Sequence, residues 1–258
     1  MEYGIASQAV VPVRAEPSHR AEMVTQVLFG EMFRITAHEG SWCGVTLIFD
    51  GYEGWIEQKQ ISILSHSEFL TLEKASSPVS MDLVQLVFRE KHQDMMPIVL
   101  GSSLPGYHDG RFSFAGETYY YEGTLPDSFA NSIENHGLTS EAIRKQLVEN
   151  AMLYLNAPYL WGGRSPLGID CSGLIQMVYK LLNFQLYRDS SRQATQGEVV
   201  GILFEAMPGD LAFFDNEEGT ITHVGMLLGQ HRIIHSSGIV RIDRKSTRLN
   251  SSNGKLSR

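Results

Sequence analysis

Pro158-Tyr159-Leu160-Trp161-Gly162-Gly163, followed shortly by Gly168-Ile169-Asp170-Cys171-Ser172-Gly173-Leu174, is the stretch on which the fold turns. Beyond it, Leu174, Ile175, Val178 and Leu182 recur at helical spacing, which predicts a helix that opens at Asp170-Cys171 with one apolar face. A cysteine at a helix start feels the positive end of the macrodipole and unpaired N–H groups, and both lower a thiol pKa. The thiolate is the nucleophilic form, so this is where a catalytic cysteine belongs. By position alone, a small buried helix residue is the commoner fate of a lone cysteine.

Two histidines shift that balance. Thr222-His223-Val224-Gly225 heads one apolar alternation, and Ile234-His235-Ser236-Ser237 closes the next. Adjacent antiparallel strands would bring the rings together, with His223 taking the thiol proton and His235 orienting it. A zinc site made of Cys171, His223 and His235 is the rival use of these residues, although no CxxC or HxxxH spacing accompanies them. His19, His38, His66 and His231 read as structural or surface residues. Cys43 lies in a strand-rich region without a nearby histidine motif.

Outward from this centre, TSEAIRKQLVENAMLYLN (139–156) predicts an amphipathic helix capped by Thr139 or Ser140, with Ile143, Leu147, Ala151 and Leu155 at four-residue steps. After Pro208-Gly209-Asp210, the runs DLAFFD, THVGMLLG and HRIIHSSG read as strands. Helices followed by an antiparallel sheet make an α+β layout. On the N-terminal side, residues 1–65 alternate short apolar runs with Gly, Asp and Pro turns, which predicts a small β-module. Residues 66–137 repeat that character more weakly, as a second, divergent module. The catalytic unit is expected over 138–242.

The 258 residues are 43% hydrophobic, enough for a sizeable core, and carry a formal net charge of −8, which gives nucleic acid little electrostatic purchase. No apolar run approaches the roughly 20 residues that span a bilayer. The first residues show no basic stretch leading into an apolar one, and two cysteines make no disulfide framework. A cytoplasmic, reduced protein without nucleic-acid or membrane partners is expected.

Taken together, YxWGG, DCSGL, THVG and IHSS resemble the NlpC-type cysteine peptidases, papain-like enzymes acting on peptidoglycan peptides. The N-terminal modules resemble the SH3-like β-barrel domains of one branch, the γ-D-glutamyl-L-diamino acid endopeptidases. The resemblance implies Cys171 as nucleophile, His223 as base and His235 as third member, with Tyr159 beside the cysteine near the oxyanion region. It also implies a murein-derived peptide with a free L-Ala amine, held by Asp170, Ser172 and Asp189, the last in Tyr187-Arg188-Asp189-Ser190. Tyr52 of the first module matches a residue that completes this pocket. Relatives often carry an acid just before Thr25-Gln26 where this chain has Val24, so Glu22 or Glu16 is expected to substitute. No cofactor and no oligomeric state are implied. A non-catalytic wall-peptide binder and a papain-like amidase or acyltransferase are the alternatives.

Asp243–Ser252, DRKSTRLNSS, matches one reading frame of a common sequencing-adapter oligonucleotide. Residues 243–258 are therefore expected to be a non-native tail, with strand alternation stopping at Ile242 and the last native strand missing.

Overall fold

The computed structural model describes residues 2–126, 140–201, 203–229, 232–244 and 254–257, which fall in two compact units, Met1–Asp127 and Ser128–Arg258. His231 and Thr139, both named above, lie outside the described residues.

The first unit is built on a seven-stranded sheet of β1 (Glu2–Ala6), β2 (Val10–Arg14), β3 (Met23–Leu28), β4 (Met32–Glu39), β5 (Trp42–Leu47), β6 (Glu53–Glu57) and β7 (Ile61–Leu64), in the order β3-β2-β6-β5-β4-β1-β7. Val11, Val13, Val27, Phe33, Ile35, Val45 and Ile56 fill its interior, the inward half of each alternation. This is the expected SH3-like, strand-rich region. Its β4–β5 register sets His38 opposite Cys43, with Nδ1 3.7 Å from the sulfur, so Cys43 does have a histidine neighbour, contrary to the reading of the sequence. His38 stands five residues before Cys43, and the β4–β5 hairpin turns that short separation into a side-by-side pair.

The segment after residue 65 opens with a helix, α1 (His66–Lys74), which the strand-based reading missed. Ser65 Oγ accepts from the Glu68 amide at 3.2 Å, so Ser65-His66-Ser67-Glu68 carried the start signal S-x-x-E. Strands β8 (Val84–Arg89), β9 (Asp94–Val99), β10 (Arg111–Phe114) and β11 (Glu117–Tyr120) then form an antiparallel sheet in the order β10-β11-β8-β9. Tyr3, Ile5, Phe29 and Leu64 share one core with Phe69, Phe112, Phe114 and Tyr119, so the two strand groups pack as one body.

In the second unit α2 (Glu141–Met152) is capped by Ser140, and Ile143, Leu147 and Ala151 are its buried stripe. Arg144 reaches Asp210 Oδ1 at 2.7 Å and pins this helix to the Pro208-Gly209-Asp210 turn. The short strands β12 (Arg164–Ser165) and β13 (Gly168–Ile169) lead into α3 (Cys171–Lys180). All ten residues of α3 are buried, so it is a central helix rather than an amphipathic one. The single turn α4 (Ser190–Gln193) follows. Strands β14 (Leu211–Asp215), β15 (Ile221–Gly229), β16 (Arg232–Ser237), β17 (Ile239–Arg244) and β18 (Gly254–Ser257) form an antiparallel sheet in the order β17-β16-β15-β14-β18. The α+β expectation therefore describes this unit. Strand pairing runs past Ile242 to Asp243 and Arg244 on β17, and Gly254–Ser257 lie along β14, so the segment set apart in the sequence contributes to the sheet at both of its edges.

Among the described residues, no helix is long and apolar enough to cross a membrane.

Candidate active site

Cys171 is the first residue of α3, and Asp170 caps that helix by accepting from the Gly173 amide at 2.7 Å. The same carboxylate accepts from the Gly162 amide at 2.8 Å, which draws the Trp161-Gly162-Gly163 loop against the helix start. The approach is tight enough to demand glycine. A Cβ on Gly173 would stand 2.3 Å from the Gly163 carbonyl oxygen, well inside van der Waals contact. Arg188, buried from solvent, closes the arrangement. Its Nη2 lies 2.6 Å from Asp170 Oδ2 and its Nη1 3.0 Å from Oδ1, and Nη1 also donates to Ser172 Oγ at 2.8 Å. Arg188 thus forms a two-pronged pair of the strong, charge-assisted kind.

On the facing sheet, His223 Nε2 and His235 Nδ1 are 2.9 Å apart, and His235 Nε2 lies 3.0 Å from Asp243 Oδ2. One proton arrangement satisfies this row: His223 Nε2–H donates to His235 Nδ1, and His235 Nε2–H donates to Asp243. It leaves His223 Nδ1 as the ring nitrogen able to take up a proton. Burial holds the His223 pKa down to about 4, with His235 and then Arg241 adding to the effect, so the ring is neutral near pH 7. The two imidazoles bond to each other directly, which leaves no gap for a zinc ion between them. Among the described residues no group of three or more His, Cys, Asp or Glu could hold a metal.

The thiol does not follow the helix-start expectation. Burial pushes Cys171 up from its ordinary value and the Asp170 charge adds to this, while the amides of Val224 and Ser172 and the Arg188 charge pull the other way. Desolvation wins, because the sulfur is buried and a helix end offsets only part of that penalty. The Val224 amide, one residue beyond His223, reaches the sulfur and so ties the cysteine to the histidine strand. Tyr159 is raised by burial first and then by Cys171 and Asp170, which puts its ring at the rim of the same site.

Residues 156–254 match the NlpC/P60 family, and residues 13–61 match the bacterial dipeptidyl-peptidase SH3 domain. A γ-D-glutamyl-L-lysine dipeptidyl-peptidase of Bacillus subtilis (strain 168) is 30% identical over 223 residues, covering 82% of this chain and 71% of that protein. The chain belongs to the NlpC/P60 family. Dipeptidyl-peptidase 6 of Lysinibacillus sphaericus is likewise 30% identical, over 86% of this chain and 83% of its own length. The crystal structure of an NlpC/P60 family protein from Bacillus cereus ATCC 10987 matches with a TM-score of 0.83 at 18% identity, covering 99% of both chains, which shows the shared fold.

As an NlpC/P60 member with such relatives, the protein is a cysteine peptidase. Around its cysteine, the residues singled out in the sequence take different places. The strand of His223, which pairs with His235, reaches Cys171 through the Val224 amide, and Tyr159 lies near the same cysteine, whereas Asp170 and Ser172, expected to meet a substrate ammonium, have their polar atoms engaged by Arg188 and by the helix start. Asp189, half-buried beside Arg188, caps α4 without a side-chain bond to that turn. Tyr52 and Glu22 belong to the first unit: Tyr52 packs on the barrel core and its amide donates to Asp50, and Glu22 is exposed on the turn before β3. Three site residues were missed. In the sequence Arg188 stands only inside a motif, Ser236 only beside His235, and Asp243 falls in the segment expected to be a non-native tail. The signal for Asp243 was the Arg241-x-Asp243 alternation running beside His235.

Proposed function

We propose that the protein hydrolyses peptidoglycan-derived peptides at the amide between γ-linked D-Glu and an L-diamino acid, acting on chains with a free N-terminal L-Ala. The observation that carries the reading is the meeting of a helix-start thiol with the histidine strand: the Val224 amide, next to His223, reaches the Cys171 sulfur, and His223 is a neutral imidazole whose Nε2 is already committed to His235. The relatives' names, γ-D-glutamyl-L-lysine dipeptidyl-peptidase and dipeptidyl-peptidase 6, supply the bond cleaved.

In this reading His223 Nδ1 takes the thiol proton as the sulfur attacks the γ-carbonyl carbon. The oxyanion that forms meets the Cys171 amide at the open helix end, where donors have no intrahelical partner. His223 then passes its proton to the leaving amine, the C–N bond breaks, and a thioester remains. Water attacks the thioester with His223 again as base, and L-Ala-γ-D-Glu departs with the thiol restored. His235 holds the His223 tautomer throughout. Asp189, half-buried next to Arg188 in the chain, is the acid assigned to the L-Ala ammonium.

Mass spectrometry of products from L-Ala-γ-D-Glu-L-Lys and its diaminopimelate counterpart tests this. The expected result is release of the dipeptide by the wild type and none by Cys171→Ala. Release of a different fragment sinks the bond assignment, and binding without turnover makes the protein a wall-peptide binder.

A further inference from the structure

Three backbone bonds stitch the β16–β17 hairpin to the loop that carries Tyr159. The Tyr159 amide donates to the Gly238 carbonyl at 3.1 Å, Val240 to Ala157 at 2.8 Å, and Asn156 to Val240 at 2.9 Å. A fourth link is of another kind. Ser236 is fully buried, and its hydroxyl donates to the Ile169 carbonyl at 2.7 Å. Ser236 follows His235 directly, and Ile169 stands two residues before Cys171. No other side-chain bond among those described joins the strand bearing His235 to the short strand that delivers the cysteine.

We infer that Ser236 is a positioning residue, whose hydroxyl sets the separation between the histidine row and the start of the cysteine helix. The inference rests on the reading that Cys171 and His223 carry the chemistry. Besides the hydroxyl, the Ile169 carbonyl accepts a long bond, 3.3 Å, from the Leu160 amide. The backbone stitches hold the far side of the hairpin, so without the hydroxyl the strand stays in place but its gap to Ile169 is no longer set. Proton transfer between thiol and imidazole is steep in that distance: a misplacement of about 1 Å costs on the order of 10²-fold in rate.

The test compares the full chain with Ser236→Ala and Ser236→Thr, measuring kcat and KM per folded molecule on L-Ala-γ-D-Glu-L-Lys across pH. Ser236→Ala is expected to lower kcat by roughly 10- to 100-fold with KM within about threefold, since substrate contacts are untouched. The acid limb of kcat/KM, set by His223 near 4, should move up toward its ordinary value as water reaches the loosened row. Ser236→Thr keeps the hydroxyl and should recover most of kcat. If Ser236→Ala does not fold, Ser236→Thr against its isostere Ser236→Val gives the same contrast. Unchanged kcat per folded molecule with an unmoved acid limb overturns the inference, as does equal activity of the Thr and Val variants. Should the wild type itself fail to turn over, the functional reading falls instead, and iodoacetamide alkylation of Cys171 in a Cys43→Ser background still decides. An alkylation–pH profile shared by wild type and Ser236→Ala then refutes the positioning role.

Discussion

Arg188→Met removes the cation from a buried pair and leaves a side chain of similar length. In the structure Arg188 is 2% exposed, and the Asp170 carboxylate it holds also accepts the Gly162 and Gly173 amides. Removing one partner of such a pair costs roughly 3–5 kcal/mol, most of it from the carboxylate left buried. The loss acts where α3 begins, so it should appear in the opening of that helix. Native-state hydrogen exchange of the Leu174, Ile175 and Val178 amides measures that directly, without assuming that the two units unfold together. At about 1.4 kcal/mol per decade, their exchange should accelerate by roughly 10²- to several times 10³-fold. The double variant Arg188→Met/Asp170→Asn should cost less than the sum of the single changes by on the order of 2 kcal/mol, because neither charge is then stranded. Unaltered α3 exchange in Arg188→Met, or strict additivity in the cycle, refutes the claim that this pair anchors the nucleophile's helix.

Other expectations follow from the same geometry. Cys171→Ser should lose nearly all turnover and still bind substrate, whereas Cys43→Ser should retain it despite the His38 contact; iodoacetamide inactivation mapped to Cys43 would reverse the assignment. With Cys171 raised and His223 near 4, alkylation of Cys171 should climb with pH to beyond 9, not level off from mildly acid pH, and a low-pH plateau would reveal a resting ion pair. Because the folded His223 pKa lies below the unfolded value of about 6.5, its neutral form favours the fold above that pH. That stability should be lost as pH falls through about 4, and acid unfolding that is unaltered in His223→Gln would argue against it. Acetylating the substrate's L-Ala should lower kcat/KM by at least ~10²-fold, with Asp189→Asn reproducing much of the loss; equal cleavage of both peptides removes the amine pocket.

The candidate catalytic centre was legible in the sequence because helix period, strand period and chemistry coincide there. Leu174, Ile175 and Val178 announced the helix, Cys171 sat at its head, and two alternating runs carried the histidines. What stayed hidden arrived through space. Nothing in the spacing says that Arg188 folds back onto Asp170, so Asp170 was assigned to the substrate although its lone pairs cap a helix. The thiol was expected to be lowered because a helix start can be read from sequence, whereas burial depends on packing that only the folded chain reveals. The α1 helix was missed where a capping signal was present, since strands before and after it weighed more heavily than Ser65 and Glu68.

The contact between Gly163 and Gly173 bears on how this family's members are told apart. That contact serves the packing of a loop on a helix, and it would be needed equally if the thiol were gone. The WGG and SGL signatures should therefore survive in a descendant that had abandoned hydrolysis, because mutating either glycine damages the fold before it touches the chemistry. Such signatures report ancestry. On the proposed reading, whether a given copy is alive as a hydrolase is written elsewhere, in Cys171 and the His223–His235 pair.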